Sequence, residues 1–357
     1  MSLTKKFLFY SAFVAFCFVT AEFLAYASLE IYKMTRSDIV QPSSYEKVVR
    51  EEVSYIHRNA RLSPFRAYAP LANYQGLHVK TDALGFRIDP EKLALGPKIG
   101  VYGGSTVFSL TTQDMTIPNL MKVKGFQTLN FGVGGYSSSN EIFAFFESFR
   151  EYRDLSVAIF YHGVNELNMF REIDTNDRSQ VLMGGIYKGQ HFRAISNHTS
   201  PSLSILDSNL HYIASKVMQA EDSEILASEP DVVIRQIKEI YFENISIIQA
   251  VADAKRIKTF FFLQPSIYTT DVTTLKGPEL NFYDSGFAKN LYPLLVFEIM
   301  RDIRSKKYQI YNLEKVLSEK EDVVFIDWHH LNGKGNRIVA KVISKIIHSQ
   351  SNLENSP

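Results

Sequence analysis

The sequence predicts an α/β domain with a parallel β-sheet, preceded by a transmembrane helix at the N-terminus. Short β-prone runs alternate with helical patterns between residues 98 and 348, which is typical of a parallel sheet with crossover helices. Several runs are followed directly by residues that can perform chemistry: a serine, an asparagine and an aspartate–histidine pair. The chain also begins with a long apolar stretch, which predicts the transmembrane helix.

The composition is that of a globular protein without a polyanionic partner. Of the 357 residues, 45% are hydrophobic and 22% are charged, and the net charge is +1. There is therefore no basic footprint for nucleic acid. The single cysteine, Cys17, excludes an internal disulfide and a thiolate metal site. The histidines at positions 57, 78, 162, 191, 198, 211 and 348 show no ligand spacing with carboxylates, and we expect no metal or other cofactor. His162, at the end of an apolar run, is interpreted as a structural histidine with satisfied hydrogen bonds.

The apolar stretch at the N-terminus follows a pair of lysines. Residues 7–21 carry no charge, and the apolar character continues to residue 29 apart from Glu22. A helix needs ~20 residues to cross the ~30 Å of bilayer hydrocarbon, and this segment supplies them. An acidic residue near the helix centre costs on the order of 3 kcal/mol, which several Phe, Val and Leu residues offset at roughly 0.3–0.6 kcal/mol each.

This segment has two interpretations. As an uncleaved signal anchor it leaves residues 1–6 as a cytoplasmic tail and places residues 7–29 in the membrane. As a signal peptide it would be cleaved after Ala27, because Ala25-Tyr26-Ala27 fits a signal-peptidase site. We favour the anchor, since the apolar stretch is long for a cleaved signal. In both cases we expect the rest of the chain outside the cytoplasm, in the periplasm or the extracellular space.

Beyond the membrane segment the chain divides into a lead-in and a domain. Residues 30–95 show little periodicity and are expected to be irregular. Residues 96–350 carry the alternating pattern, with a polar, aperiodic insertion at about 166–228. The predicted strands are residues 98–102, 127–131, 155–161, 258–263 and 323–326, and the predicted helices are residues 139–152, 231–254, 290–305 and 338–348.

The residues that follow the strands predict a common site. Ser105 follows the first strand, Gly135 the second, Asn165 the third, and the pair Asp327 and His330 the last. Ligands of open parallel sheets bind at the carboxyl ends of the strands, so we expect these residues to converge on one crevice. Each motif alone is common in plain turns, but their occurrence together, each at a strand end, indicates a site.

These residue types suit a serine nucleophile with a base and an oxyanion site. A serine hydroxyl is a weak nucleophile and needs a base. The D-x-x-H spacing lets Asp327 hold Nδ1 of His330 while Nε2 faces Ser105. The backbone N–H groups of Ser105 and Gly135 and the side-chain amide of Asn165 can donate to an oxyanion, and removing one such donor typically costs about 10²–10³ in rate.

Four segments resemble blocks I, II, III and V of the SGNH/GDSL hydrolases: IGVYGGSTVFS, LNFGVGGYSSSNEI, AIFYHGVNELN and IDWHHLNGKGNRIVA. The resemblance implies a flavodoxin-like three-layer α/β/α domain that cleaves esters through an acyl-serine. By block, Ser105 matches the nucleophile, Asp327 and His330 match the acid and the base, and Gly135 and Asn165 match the oxyanion donors. His330 is preferred to its neighbouring histidine because Leu-Asn and Gly-Asn follow it as they follow the family's histidine.

Two blocks depart from the family's usual pattern. Block I reads Gly-Gly-Ser-Thr instead of Gly-Asp-Ser, which resembles a membrane-anchored bacterial branch of the family. Block III has Glu166 after Asn165, where Asn-Asp is usual. The carboxylate of Glu166 is retained at the end of one more methylene, so we expect the chemistry to survive with a changed local geometry.

Three functions fit these features. The first is an exported serine esterase acting on O-acyl groups of cell-envelope or secreted polysaccharide, or on lipid esters. The second is an O-acyltransferase in which a sugar hydroxyl replaces water. The third is a non-catalytic component of polysaccharide assembly, which is disfavoured because the nucleophile, base, acid and oxyanion donors are all present. The expected partners are a small-molecule or polysaccharide ester and the membrane.

Overall fold

A computed structural model describes residues 9–10, 13, 16–28, 44–63, 65–171, 230–283, 288–303 and 308–350. The chain separates into two units, residues 1–41 with 199–228 and residues 42–198 with 229–357. In the first unit, residues 16–28 are helical. Within the described ranges, no helix has both the length and the apolar character needed to span a membrane. The expected span at 7–29 is only partly described, and the expected insertion lies outside the described residues from position 172 onward.

The second unit contains a five-stranded parallel sheet. Its strands are β3 (Lys98–Gly103), β4 (Gln127–Asn130), β5 (Leu155–His162), β6 (Lys258–Leu263) and β7 (Ile310–Asn312), after a short antiparallel pair, β1 (Arg61–Ser63) and β2 (Ala67–Ala69). The sheet order is β4-β3-β5-β6-β7, and each neighbouring pair is parallel. This is the flavodoxin-like order, and it confirms the predicted α/β class with a parallel sheet.

The central strands are apolar throughout because both faces of the sheet are covered. Every residue of β3 is buried, as are nearly all residues of β5 and β6. Across the sheet, Tyr102 stacks on Phe160 at 4.8 Å between ring centroids, and Phe160 stacks on Phe261 at 5.2 Å. Burial of one such side chain stabilises the fold by about 1.5–3 kcal/mol, so these runs hold the sheet in place.

Helices cover the two faces. They are α1 (Ser44–Arg58), α2 (Ser105–Phe108), α3 (Ile117–Leu120), α4 (Ser138–Glu151), α5 (Pro230–Lys255), α6 (Pro278–Tyr283), α7 (Ala288–Asp302) and α8 (Gly333–Gln350). Helix α5 contacts α4 and α7, whereas α8 contacts α3. Crossovers between parallel strands are right-handed as a rule. This places α4, α5 and α7 on one face of the sheet and α3 and α8 on the other. The result is a three-layer arrangement.

One predicted strand is wrong. Residues 323–326 do not join the sheet, and its fifth strand is β7, which the sequence analysis missed. The reason is the buried carboxylate of Glu279, whose Oε1 accepts from the backbone N–H groups of Val324 and Phe325 at 2.8 and 2.9 Å. These bonds replace those a neighbouring strand would make. Val324 and Phe325 in this run are buried, but the run leads into a turn and is not part of the sheet.

The lead-in at residues 30–95 is also more regular than expected. It contains α1, where Val49, Val53 and Ile56 are buried and pack in one cluster with Phe108. These positions follow helical spacing, but the apolar face is narrow and most of the helix surface is polar. Of the other predicted elements, the strand at residues 258–263 has the predicted bounds, and the remaining strands and helices are present with shifted bounds.

Candidate active site

Ser105 lies where β3 turns directly into α2. A Cβ atom on Gly104 would lie 1.9 Å from Asn165 Nδ2, and one on Gly103 would lie 2.3 Å from the carbonyl oxygen of Tyr161. A side chain at position 103 would collide with the backbone at the end of β5, and one at position 104 would displace the amide of Asn165. The two glycines therefore allow the serine to sit beside the loop that carries Asn165.

The structure brings together the three residues predicted as nucleophile, base and acid. Ser105 Oγ lies 2.7 Å from His330 Nε2, and His330 Nδ1 lies 2.6 Å from Asp327 Oδ2. Burial raises the pKa of the Asp327 carboxyl, but the charge of His330 and its hydrogen bonds outweigh this and hold the pKa well below its usual range. Asp327 is therefore ionised and accepts from Nδ1–H, which leaves Nε2 free to accept the serine proton.

Asp327 and His330 form an acid–base dyad on one turn of the chain, and Asp327 also closes that turn. Asp327 Oδ1 accepts from the backbone N–H groups of His329 and His330 at 2.9 and 2.8 Å. The backbone N–H of Ile326 also donates to the carbonyl of His330 at 2.8 Å. The spacing D-x-x-H thus has a structural reason, since the same carboxylate caps the turn and orients the imidazole.

His329 lies behind the base. Its ring lies tilted against those of His330 and Trp328, at 3.9 and 4.2 Å between ring centroids. Burial and the charge of His330 lower the pKa of His329 to about 3, so it is neutral at ordinary pH. Its Nδ1 lies 3.4 Å from Asp327 Oδ1, and the serine contact is made by His330 alone of the two.

The Asp327, His329 and His330 side chains could also hold a metal ion. Each offers one ligand atom, and these atoms lie within 4.8 Å of one another. A metal at this position would compete with the hydrogen bonds of His330. The arrangement of the dyad toward Ser105 is that of a proton-transfer chain.

The predicted oxyanion donors lie on two neighbouring loops. Asn165 follows β5, and its Nδ2 donates to the carbonyl of Tyr136 at 2.8 Å. The amide nitrogen carries two hydrogens, so this bond leaves the second available beside Ser105. Gly135 lies next to Tyr136 with φ of +83°, a left-handed conformation that favours glycine.

Sequence reasoning missed the residues that fix the chain after the nucleophile. Arg87 is fully buried and donates to the carbonyls of Phe108 and Thr111 at 2.6 Å and of Ser109 at 2.7 Å. Burial lowers the pKa of Arg87 to about 9, so the guanidinium is still charged at neutral pH. In the sequence Arg87 follows Gly-Phe, and nothing local to this motif signals the contact.

Gln264 was also missed, although a signal was present. It follows β6 directly, at the same edge of the sheet as the other site residues. Its Oε1 accepts from the hydroxyl of Thr106 at 3.1 Å, and its carbonyl accepts from the hydroxyl of Tyr292 at 2.6 Å. The strand-end rule that identified Ser105 and Asn165 would have found it.

Two asparagines follow the dyad: Asn332 caps the next helix, and Asn336 joins that helix to the segment after the nucleophile. Asn332 Oδ1 accepts from the backbone N–H groups of Lys334 and Gly335 at 3.0 and 3.1 Å and so caps α8. Asn336 Nδ2 donates to Ser109 Oγ at 3.0 Å. The motif that follows His330 is therefore structural.

The contacts of His162 confirm that it is a structural histidine. Its Nδ1 lies 2.8 Å from Glu141 Oε2, and its Nε2 lies 2.8 Å from the hydroxyl of Tyr241. Both ring nitrogens are thus bonded within the core, beneath the loop that carries Asn165.

Comparisons with known proteins give distant structural similarity. No family model and no curated protein matches the chain. A GDSL-like lipase from Bacteroides thetaiotaomicron is similar at 13% identity over 71% of this chain and 89% of that chain, with a TM-score of 0.35. A carbohydrate acetylesterase from Sinorhizobium meliloti is similar at 10% identity over 71% and 100% of the two chains, with a TM-score of 0.39. Values of this size do not by themselves establish a shared fold.

Proposed function

We propose that this chain is a serine esterase of the SGNH/GDSL type. The observation that carries the proposal is the unbroken line of hydrogen bonds from Asp327 through His330 to Ser105, with distances of 2.6 and 2.7 Å. A carboxylate, an imidazole and a serine hydroxyl in this order are the requirements for nucleophilic acyl transfer.

The reaction has two steps. Ser105 Oγ attacks the ester carbonyl while His330 Nε2 takes the hydroxyl proton, and the resulting tetrahedral oxyanion collapses with proton transfer from Nε2 to the departing alcohol. Water then attacks the acyl-serine while His330 Nε2 takes its proton. The second tetrahedral oxyanion collapses by breaking the bond to Ser105 Oγ, which receives that proton from Nε2 as the carboxylic acid leaves. Asp327 stays ionised throughout and stabilises the imidazolium that forms in each step.

The oxyanion is stabilised by donors that flank the nucleophile. The Asn165 amide lies against Gly104, directly before Ser105, and its bond to the Tyr136 carbonyl orients it. The backbone N–H groups of Ser105 and Gly135 complete the set. Such donors are fixed before the reaction, so they stabilise the transition state without reorganisation.

For the substrate we propose O-acyl groups of cell-envelope or secreted polysaccharide, or lipid esters, reached by an exported enzyme with an N-terminal membrane anchor. The support is the uncharged stretch 7–21 with lysines before it. In the described helix at 16–28, Phe16, Phe18 and Phe23 are 67%, 54% and 67% exposed, an unusual apolar surface for a helix in water.

A serine-directed fluorophosphonate probe tests the proposed chemistry. We expect the wild-type protein to be labelled at Ser105 and to hydrolyse a chromogenic acetyl ester, and the S105A variant to do neither. Ser156→Ala is the matched control, because that serine is exposed and bonds only to Asp154 among the described contacts. Labelling at another serine, or none in folded wild-type protein, would contradict the proposal and favour a non-catalytic role.

A further inference from the structure

A buried carboxylate lies directly after the oxyanion asparagine. Glu166 is 0% exposed. Its Oε1 accepts from the backbone N–H of Ser138 at 2.8 Å, and its Oε2 accepts from the hydroxyl of Ser138 at 3.0 Å. Ser138 is the first residue of α4, which begins just after the turn that contains Gly135. The proposed mechanism gives Glu166 no role.

The turn around Gly135 is held at three points. The hydroxyl of Tyr68 donates to the carbonyl of Gly134 at 2.7 Å on one side of Gly135. Asn165 donates to the carbonyl of Tyr136 at 2.8 Å on the other side. The third point is the double contact of Glu166 with Ser138. Two of these three points come from consecutive residues after β5, so the loop with the side-chain donor also holds the loop with the backbone donor.

We propose that Glu166 is a positioning residue for the oxyanion site: its carboxylate fixes the start of α4, and with it the Gly135 N–H, against the loop that carries Asn165. The inference rests on the proposed serine-hydrolase function. It adds a residue that touches neither the substrate nor the reacting atoms but sets the relative position of the groups that do.

The surroundings of Glu166 are ionisable on several sides. They comprise Glu141 on α4, His162 on β5, Tyr241 on α5 and Tyr292 on α7. Burial raises the pKa of Glu166 to about 7, with a further rise from Glu141, against the charge of His162 and the two bonds from Ser138. The bonds from Ser138 and the charge of His162 thus support the ionised form, which accepts both bonds.

The isosteric change E166Q separates the effects of the carboxylate's charge and hydrogen bonds from the effect of packing. The glutamine side chain has the same size, but an NH₂ group replaces Oε2, so the hydroxyl of Ser138, which already accepts from Asn244 Nδ2 at 2.9 Å, can no longer donate to it. Because the oxyanion donors act mainly in the transition state, a shifted donor lowers kcat and leaves KM nearly unchanged. We expect a fall of about tenfold, less than the roughly 10²–10³ for the complete loss of a donor.

A matched control is available on α7. Glu298 is 8% exposed and binds Lys238 and Arg301 at 3.0 and 2.5 Å. E298Q makes the same isosteric change in another buried carboxylate that contacts no residue of the site. We expect its kcat and KM to stay within twofold of the wild-type values.

The experiment compares the wild type, E166Q and E298Q. For each protein it measures kcat and KM for a chromogenic acetyl ester, the endpoint labelling of Ser105 by the fluorophosphonate, and amide hydrogen exchange over residues 134–138. A tenfold lower kcat with unchanged KM, complete labelling and faster exchange in E166Q alone supports the inference. A labelled wild type with E166Q indistinguishable from E298Q overturns the inference alone. An unlabelled wild type overturns the proposed function together with it.

If E166Q does not fold, Ser138→Ala provides the second test. It removes the hydroxyl contact at 3.0 Å and leaves the backbone contact at 2.8 Å in place. We then expect a smaller fall in kcat, about threefold by the same reasoning, again with KM unchanged. A kcat equal to that of the wild type would count against the inference.

Discussion

Asp327 binds His330 twice. Its Oδ2 lies 2.6 Å from the Nδ1 of the imidazole, and its Oδ1 accepts from the backbone N–H of the same residue at 2.8 Å. The side chain and the backbone of the base are thus held by one carboxylate. This relationship explains how a short, half-buried turn can keep an imidazole aligned on Ser105 without a supporting strand.

The first prediction concerns the acid. In D327N the amide can still accept from the backbone, but its NH₂ group faces Nδ1 and favours the tautomer with the hydrogen on Nε2. That nitrogen can no longer accept the serine proton, so we expect kcat to fall by about 10⁴. Steady-state hydrolysis of the acetyl ester measures it. D322N, at an exposed aspartate paired with Lys334, should keep full activity; a D327N enzyme as active as this control would remove Asp327 from the triad.

The second prediction separates the two adjacent histidines. His330→Gln removes the only nitrogen within hydrogen-bonding distance of Ser105 Oγ among the described contacts, so we expect kcat to fall by at least about 10³. His329→Gln removes a neutral ring that packs against the base, and we expect less than about a tenfold loss. Parallel kinetics of the two variants measure the difference, and equal losses would contradict the assignment of His330.

The third prediction concerns the side-chain oxyanion donor. We expect Asn165→Ala to be labelled by the fluorophosphonate but to turn over the acetyl ester about 10²–10³ more slowly, since one donor is lost. Asn59→Ala, at an exposed amide that bonds to the carbonyl of Tyr55, serves as control. Undiminished turnover of the Asn165 variant would exclude this residue from the oxyanion site.

The fourth prediction is a pH dependence of stability. The pKa of Glu166 is raised by burial from 4.5 to about 7 in the folded protein, so the folded state holds its proton over a range in which the unfolded state has lost it. The stabilisation is complete below the unfolded value and is lost as pH rises through the folded value. Relative to E166Q, the free energy of unfolding of the wild type should fall by about 2–3 kcal/mol between pH 5 and pH 8.

Urea unfolding of both proteins at these two pH values measures this difference. Burial lowers the pKa of His162, but the charge and hydrogen bond of Glu141, with a smaller effect of Glu166, outweigh this and raise it. The contribution of His162 therefore has the same sign. The pKa of Asp327 is depressed, so its stabilisation is lost only as pH falls below 3.8, outside the measured range. A difference between wild type and E166Q that is constant with pH would refute the raised pKa.

The fifth prediction tests the membrane anchor. Removal of residues 1–32 should yield a folded protein that stays in the supernatant after high-speed centrifugation, while the full chain sediments with membranes. The truncated protein should keep its esterase activity, because Ser105, His330 and Asp327 all belong to the other unit. Continued membrane association of the truncated protein would contradict a single N-terminal anchor.

The sequence predicted most of the sheet and the proposed triad because both have local signals. Buried strands such as LSVAIFY are continuous apolar runs, and Ser105 and Asn165 directly follow such runs. The strand at Ile310–Asn312 was missed because its three residues, IYN, are too short to show a period. The apolar run at residues 323–326 predicts a strand. Such a run does not reveal which groups accept its backbone hydrogen bonds, and here the acceptor is a side chain.

By itself, the sequence therefore determined the α/β class, the strand ends that carry chemistry and the D-x-x-H turn. These three features depend on the spacing of residues along the chain, because the periodicity of burial and the geometry of turns act between residues that are close in sequence. Only the tertiary structure decided that Glu279 closes the turn before Asp327 and that Tyr68 and Glu166 hold the loop of Gly135. Such contacts join residues distant in sequence, and because each depends on how helices and strands pack, no local pattern encodes them.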